Sequence, residues 1–138
     1  MWTDLELLSA FEACTIPNTA FGHREHVRVA WLYLRVAPFE HAAYRFCTSL
    51  RRFAEAHGKP ALYHETITWA YLALVNERRA AQDHADFDAF AAANADLFDK
   101  GAGALAALYD RDTLGSERAR RTFLLPRRAP GRSPEERR

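Results

Sequence analysis

The sequence predicts an all-α fold, a compact bundle of four longer helices followed by short C-terminal ones. Three observations carry this expectation. Alanine, the strongest helix former, supplies 26 of the 138 residues. Valine and isoleucine together supply only six, and without β-branched side chains there is little from which to build a sheet. Apolar residues recur at intervals of three and four between proline and glycine breaks, the spacing of a buried helical stripe. A chain of this length suits one domain and buries roughly 70% of its unfolded surface, enough for a core without staples.

Each element follows from local chemistry. Thr3-Asp4-Leu5-Glu6 has the form of a capping box, in which the hydroxyl and the carboxylate each satisfy a free backbone N–H. It opens a helix with Leu5, Leu8 and Phe11 on roughly one side, ending before Pro17. A loop from Asn18 to Gly22 leads into a second helix, about His23 to Val36. Pro38 stops it, because the residue before proline resists the α conformation, and proline favours the start of the next helix. That third helix runs from about Phe39 to His57, with Ala43, Phe46, Leu50 and Phe53 as its buried stripe. Gly58 closes it as a left-handed cap, and Lys59-Pro60 makes the turn.

A fourth helix spans about Leu62 to Ala80, with Ile67, Tyr71, Leu74 and Arg78 along one side. After the polar break Gln82-Asp83-His84, Phe87 and Phe90 mark a short fifth helix, and Asn94-Ala95-Asp96 reads as a break. Gly101 and Gly103 interrupt the chain before another short helix carrying Leu105, Leu108 and Tyr109. Ser116 is a good N-cap for a last helix, about Glu117 to Leu125, which Pro126 ends.

The formal charge is +1, unevenly divided: five arginines against Glu135 and Glu136 put +3 in residues 127–138, so residues 1–126 carry −2. The mildly acidic folded part argues against a nucleic-acid face, which would be basic. RRAPGRSPEERR has no apolar periodicity and reads as a disordered basic tail after a single helical domain over 1–126. Cys14 and Cys47 form neither a CxxC pair nor a disulfide framework. No stretch approaches the ~18 apolar residues of a membrane span, and the first residues do not resemble a signal peptide, so a cytoplasmic protein is expected. A homodimer is an open possibility, since short bundles can leave an apolar face.

Chemistry concentrates in two segments. His23 and His26 stand three apart at a helix start, so both imidazoles can face one point, with Ala30 and Tyr33 continuing the line. Such a pair can supply two metal ligands or an acid/base couple. In Tyr63-His64-Glu65-Thr66, His64 also lies near a helix start and shares a face with Thr68 and Tyr71. Glu65 points about 100° away around the axis, better placed to orient another group than to share a site. If the second and fourth helices run antiparallel to the third, His23, His26 and His64 converge at one end of the bundle. Three histidines with water completing the shell are a common way to hold a catalytic divalent metal such as zinc, iron or manganese.

The same geometry serves metal-free chemistry, with helix N-termini favouring an anion and neutral histidines acting as bases. Tyr33, Tyr63, Tyr71, Trp31 and Trp69 could wall such a pocket, and Arg120 could reach inward to an acid or a substrate anion. His41, His57 and His84 read as surface residues. The sequence contains no P-loop, Rossmann glycine pattern, GxSxG elbow or HExxH, which removes the common nucleotide, hydride and serine-hydrolase readings.

Phe21, His23, His26, Ala30, Tyr33 and Leu34, then Tyr63, His64, Glu65, Thr66 and Thr68, then Asn94, and finally Leu114, Ser116, Ala119, Arg120, Phe123 and Pro126 form a pattern. It resembles a small all-helical bacterial family of unknown function with F-x-H-x-x-H, Y-H-E-T and S-x-x-A-R motifs. Arg127 stands where that pattern places an acidic residue. The resemblance covers most of residues 20–126 and implies that these elements belong to one design.

The expectation is therefore a small-molecule enzyme with a His-lined polar pocket. His23, His26 and His64 are its metal ligands or acid/base groups. Glu65 orients one of them or moves a proton, Tyr63 and Tyr71 donate to substrate oxygens, and Arg120 receives a substrate anion. The alternative is a non-catalytic ligand-binding or interaction module whose histidines stitch helix ends together. The two differ in one observable: catalysis needs the histidines around an open cavity, stitching needs them saturated by backbone and side-chain bonds. A third reading, DNA binding through the last helix and basic tail, rests on the tail's charge alone.

Overall fold

The computed structural model describes residues 2–99 and 103–126, in which eight α-helices and no strand occur. The expected break at Gly101 and the expected disordered tail lie outside the described residues. No described helix is long and apolar enough to cross a membrane.

The first helix, α1 (Asp4–Glu12), opens on the expected capping box, Thr3 and Glu6 exchanging both bonds. Its buried face is Leu7, Ala10 and Phe11, and Leu5 is 75% exposed. In a helix of nine residues the Leu5–Leu8 and Leu7–Phe11 faces are equally periodic, and packing against the neighbouring helices selects the second. Helices α2 (His23–Val36) and α3 (Phe39–Ala56) match their expected spans. Glu25 accepts from the Gly22 N–H at 2.9 Å, closing the start of α2. Ala43, Phe46, Leu50 and Phe53 are buried as the stripe predicts. Gly58, at φ +71°, supplies the left-handed turn that ends α3.

Helix α4 (Glu65–Ala81) begins later than expected, because Pro60–Leu62 form a separate 3-10 turn. Thr66, Thr68, Ala70, Leu72 and Val75 are its most buried residues, while Ile67, Tyr71, Leu74 and Arg78 are half-buried. The single stripe expected for this helix fails because α4 is packed on several sides, against α2, α3 and several of the C-terminal elements. Those are α5 (Phe87–Ala93), a 3-10 turn over Ala95–Phe98, α6 (Ala104–Leu108), α7 (Arg111–Leu114) and α8 (Glu117–Arg121).

Helix α8 keeps its expected Ser116 cap, the hydroxyl accepting from Ala119 N–H at 3.1 Å, but stops at Arg121 rather than Leu125. The cause is tertiary. Thr66, fully buried in α4, donates its hydroxyl to the Thr122 carbonyl at 2.8 Å and accepts from the Leu124 N–H at 3.1 Å. Tyr109 donates to the Leu124 carbonyl at 2.6 Å. Backbone groups bonded in this way are unavailable to another helical turn.

The core is aromatic. Phe11 stacks on Phe21 at 5.0 Å between centroids, and Phe53 sits 4.8 Å from Phe21 and 5.7 Å from Phe11. Each such pair adds about 0.5–1.5 kcal/mol beyond the area it buries. A second aromatic group joins Trp31 to Phe87 and Phe90 and holds α5 on α2.

Candidate functional site

The packing leaves a cavity of about 560 Å³ at one end of the bundle. Its wall is contributed by the start of α2 (His23, His26, Val27, Ala30), the end of α3 (Phe46, Leu50, Phe53, Ala54, His57) and the start of α4 (His64, Ile67, Thr68, Tyr71). The loop residues Asn18, Phe21, Lys59, Leu62 and Tyr63 form one side, and Leu105 and Leu114 another. Two helix starts beside one helix end is the arrangement that an antiparallel α2–α3–α4 core produces. Phe21, Phe46 and Phe53, which all pack on Phe11, line it, so its apolar wall is continuous with the main core.

His23, His26 and His64 all line this cavity. Their ring nitrogens are differently engaged. The Nδ1 of His64 accepts from the Ile67 N–H at 3.1 Å, which makes His64 the N-cap of α4, and its Nε2 therefore donates to the Leu114 carbonyl at 2.8 Å. The tautomer is fixed, and both nitrogens are used by the backbone. The Nε2 of His23 donates to the Leu97 carbonyl at 2.8 Å, and its ring lies edge-on to Tyr71 at 4.8 Å. The His26 ring packs on Phe21 at 4.4 Å.

This arrangement does not fit the expected three-histidine centre. Among the described residues no group of three or more His, Cys, Asp or Glu side chains is placed to hold a metal ion. His64 could act as a ligand only by giving up its helix cap or its bond to Leu114.

His57, read from the sequence as a surface residue, also lines the cavity. It is half-buried, its ring packs on Phe53 at 4.4 Å, and its Nε2 is buried with no hydrogen-bond partner among the described residues. A sequence signal for it existed: positions 43, 46, 50, 53 and 57 continue the α3 stripe without a break. His84 is likewise half-buried, edge-on to Phe90, whereas His41 is exposed as expected.

The tyrosines divide. Tyr71 lines the cavity, and burial, with the Asp99 charge, raises its phenol above the ordinary range. Tyr63 stands between the cavity and a smaller groove of about 300 Å³ that also contains Arg51, Glu65 and Arg120. Its hydroxyl donates to Glu65 at 2.7 Å, and burial together with that bond pushes the phenol well upward. Glu65 and Arg120 thus lie on the groove and are absent from the cavity wall. Arg120 is engaged by Glu117 and by the Ala61 carbonyl at 3.4 Å. Tyr33, buried and edge-on to Phe46, is absent from the cavity wall and donates to Glu12 at 2.5 Å. Trp31 and Trp69 are absent from the cavity wall: Trp31 belongs to the α5 contact, and Trp69 packs near Phe39.

The electrostatics of the wall are one-sided. None of the described lining residues is an Asp or Glu, and Lys59 is the only Lys or Arg among them. Searches against family models, curated proteins and solved structures find no match in any of the three.

Proposed function

We propose that the protein is a small-molecule enzyme whose substrate pocket is this cavity. His57 and His26 are its proton-handling groups. The observation that carries the reading is the His57 Nε2, a buried polar atom with no partner among the described residues, on a side chain in the wall of an otherwise largely apolar cavity. Trp31, Arg79 and His84 carry such an atom too, and His57 is the one of the four whose side chain belongs to the cavity wall; a functional role is one of the standing reasons for an orphan. The cavity volume falls within the range of about 300–1,000 Å³ in which small-molecule sites occur. Imidazole is the side chain most often used as a general acid or base. In this reading the chemistry needs no metal at His23, His26 and His64, because His23 and His64 act as fixed walls.

A second reading is favoured by those same two residues. Their bonds to Leu97 and Leu114 are the stitching expected of a non-catalytic binding module. One experiment separates the readings. The protein is incubated with a defined mixture of small carboxylic acids, amides, alcohols and carbonyl compounds, and each component is followed by mass spectrometry. The enzyme reading predicts loss of at least one component with the native protein and not with His57→Gln. Binding of components without conversion of any would replace it with the binding-module reading.

A further inference from the structure

We infer that the cavity takes an uncharged, hydrocarbon-rich small molecule with one hydrogen-bond-accepting oxygen, its body against the apolar floor and its oxygen at the Tyr71 hydroxyl. This rests on the small-molecule reading above and specifies its ligand.

The wall residues differ in depth. Asn18, Lys59 and Leu62 are exposed and belong to the mouth. Phe21, Val27, Phe46, Phe53 and Leu105 are buried and belong to the floor. Thr68 is the one buried polar side chain in the wall, and its hydroxyl donates to the His64 carbonyl at 2.7 Å. A ligand that passes the mouth therefore meets hydrocarbon at the floor, and burial of its own apolar surface drives its binding. The Lys59 ammonium, on an exposed residue, stays in water.

Between floor and mouth the wall is half-buried and polar, but much of that polarity is spent on the protein itself. Both ring nitrogens of His64 serve the backbone, His23 Nε2 donates to Leu97, and Tyr63 gives its hydroxyl to Glu65. Tyr71 differs. Its ring stands edge-on to His23 in the same wall, and burial and the Asp99 charge act on its phenol without any hydrogen bond among the described residues. A protonated phenol is a donor, which a carbonyl or ether oxygen satisfies. A carboxylate at that place would face the Asp99 charge. Below the mouth, a carboxylate would meet no Lys or Arg of the wall and an ammonium no Asp or Glu. Either would give up its hydration without an opposite charge in return. A neutral oxygen on a hydrocarbon body escapes both penalties, in keeping with pockets that are mostly apolar and hold few polar groups.

The test uses four probes on one skeleton: 4-phenyl-2-butanone, propylbenzene, 3-phenylpropionate and 3-phenylpropylamine, titrated calorimetrically into the full-length protein at neutral pH. The ketone is expected to bind at least tenfold tighter than the carboxylate or the amine, and about fivefold tighter than the hydrocarbon. Tyr71→Phe keeps the ring and removes the hydroxyl, so it should bring the ketone down to the hydrocarbon and leave propylbenzene within twofold of its native affinity. A carboxylate or amine that binds as tightly as the ketone would overturn the inference while leaving the cavity a small-molecule site. A ketone advantage that survives Tyr71→Phe would do the same. Failure of all four to bind, with the circular-dichroism spectrum and melting transition of a folded protein, would overturn both.

Discussion

His64 shows how one side chain in a cavity wall can be committed to architecture. Its two ring nitrogens serve the N-terminus of α4 and the carbonyl that ends α7. Losing a cap costs about 1 kcal/mol, and leaving a partly buried carbonyl without its donor costs about 1–3 kcal/mol more. His64→Ala should therefore lower stability by about 2–3 kcal/mol in urea titrations, and His64→Asn, which restores a capping oxygen, by about half that. Cys47 gives an independent check of burial. Desolvation raises its thiol to about 11, so about a thousandth of it is thiolate at pH 8. It should stay unmodified by an aromatic disulfide reagent at that pH until the protein is unfolded. The sequence revealed His23, His26 and His64 through helical spacing, because spacing determines which side chains share a face. It could not show their partners, since Leu97 and Leu114 are brought to them by tertiary packing. His57 was hidden for a different reason: a residue at a helix end can point outward or complete the buried stripe, and only the neighbouring helices decide.

At the scale of elements, the Tyr63-His64-Glu65-Thr66 segment acts as a clasp. Tyr63 and Glu65 bond to each other, His64 holds α7, and Thr66 holds the strand of chain after α8. Thr66→Val keeps the shape and removes both bonds of the hydroxyl, leaving the Thr122 carbonyl and the Leu124 N–H unmatched. A loss of about 2–4 kcal/mol follows from two such groups, and hydrogen exchange should quicken at Leu124 before it does in α3. Arg78 ties α4 to the 3-10 turn after α5 through Asp96. The Arg78 hydrogen bond holds the Asp96 carboxyl below its ordinary range. A lowered folded pKa means that the stabilisation is present above the unfolded value and is lost as pH falls through the folded one. With Asp96 half exposed, the effect stays under about 1 kcal/mol. The stability gap between the native protein and Arg78→Ala should accordingly narrow as pH is lowered from 5 to 3. Helix starts and stops at α2 and α3 were legible because Gly22, Pro38 and Gly58 act locally. The early end of α8 was not, because Thr66 lies more than fifty residues upstream.

For the whole molecule, helix order and antiparallel packing create the site. They bring two helix starts and one helix end around a space that no single segment could outline. The aromatic core beneath it makes the wall rigid: Phe53→Ala removes contacts with Phe11, Phe21 and His57 at once and should cost about 3–5 kcal/mol. The central claim is that this space receives a small molecule beside His57. Ala54, half-buried on the same wall, offers a way to fill it without touching a polar group. The most direct measurement records the imidazole 1H–15N resonances during titrations with the small carboxylic acids, amides, alcohols and carbonyl compounds of that mixture, on the native protein and on Ala54→Phe. Saturable shifts at His57 and His26 in the native protein, absent from the filled variant, are the predicted result. Rings that do not move, or that move equally in both proteins, would contradict the claim.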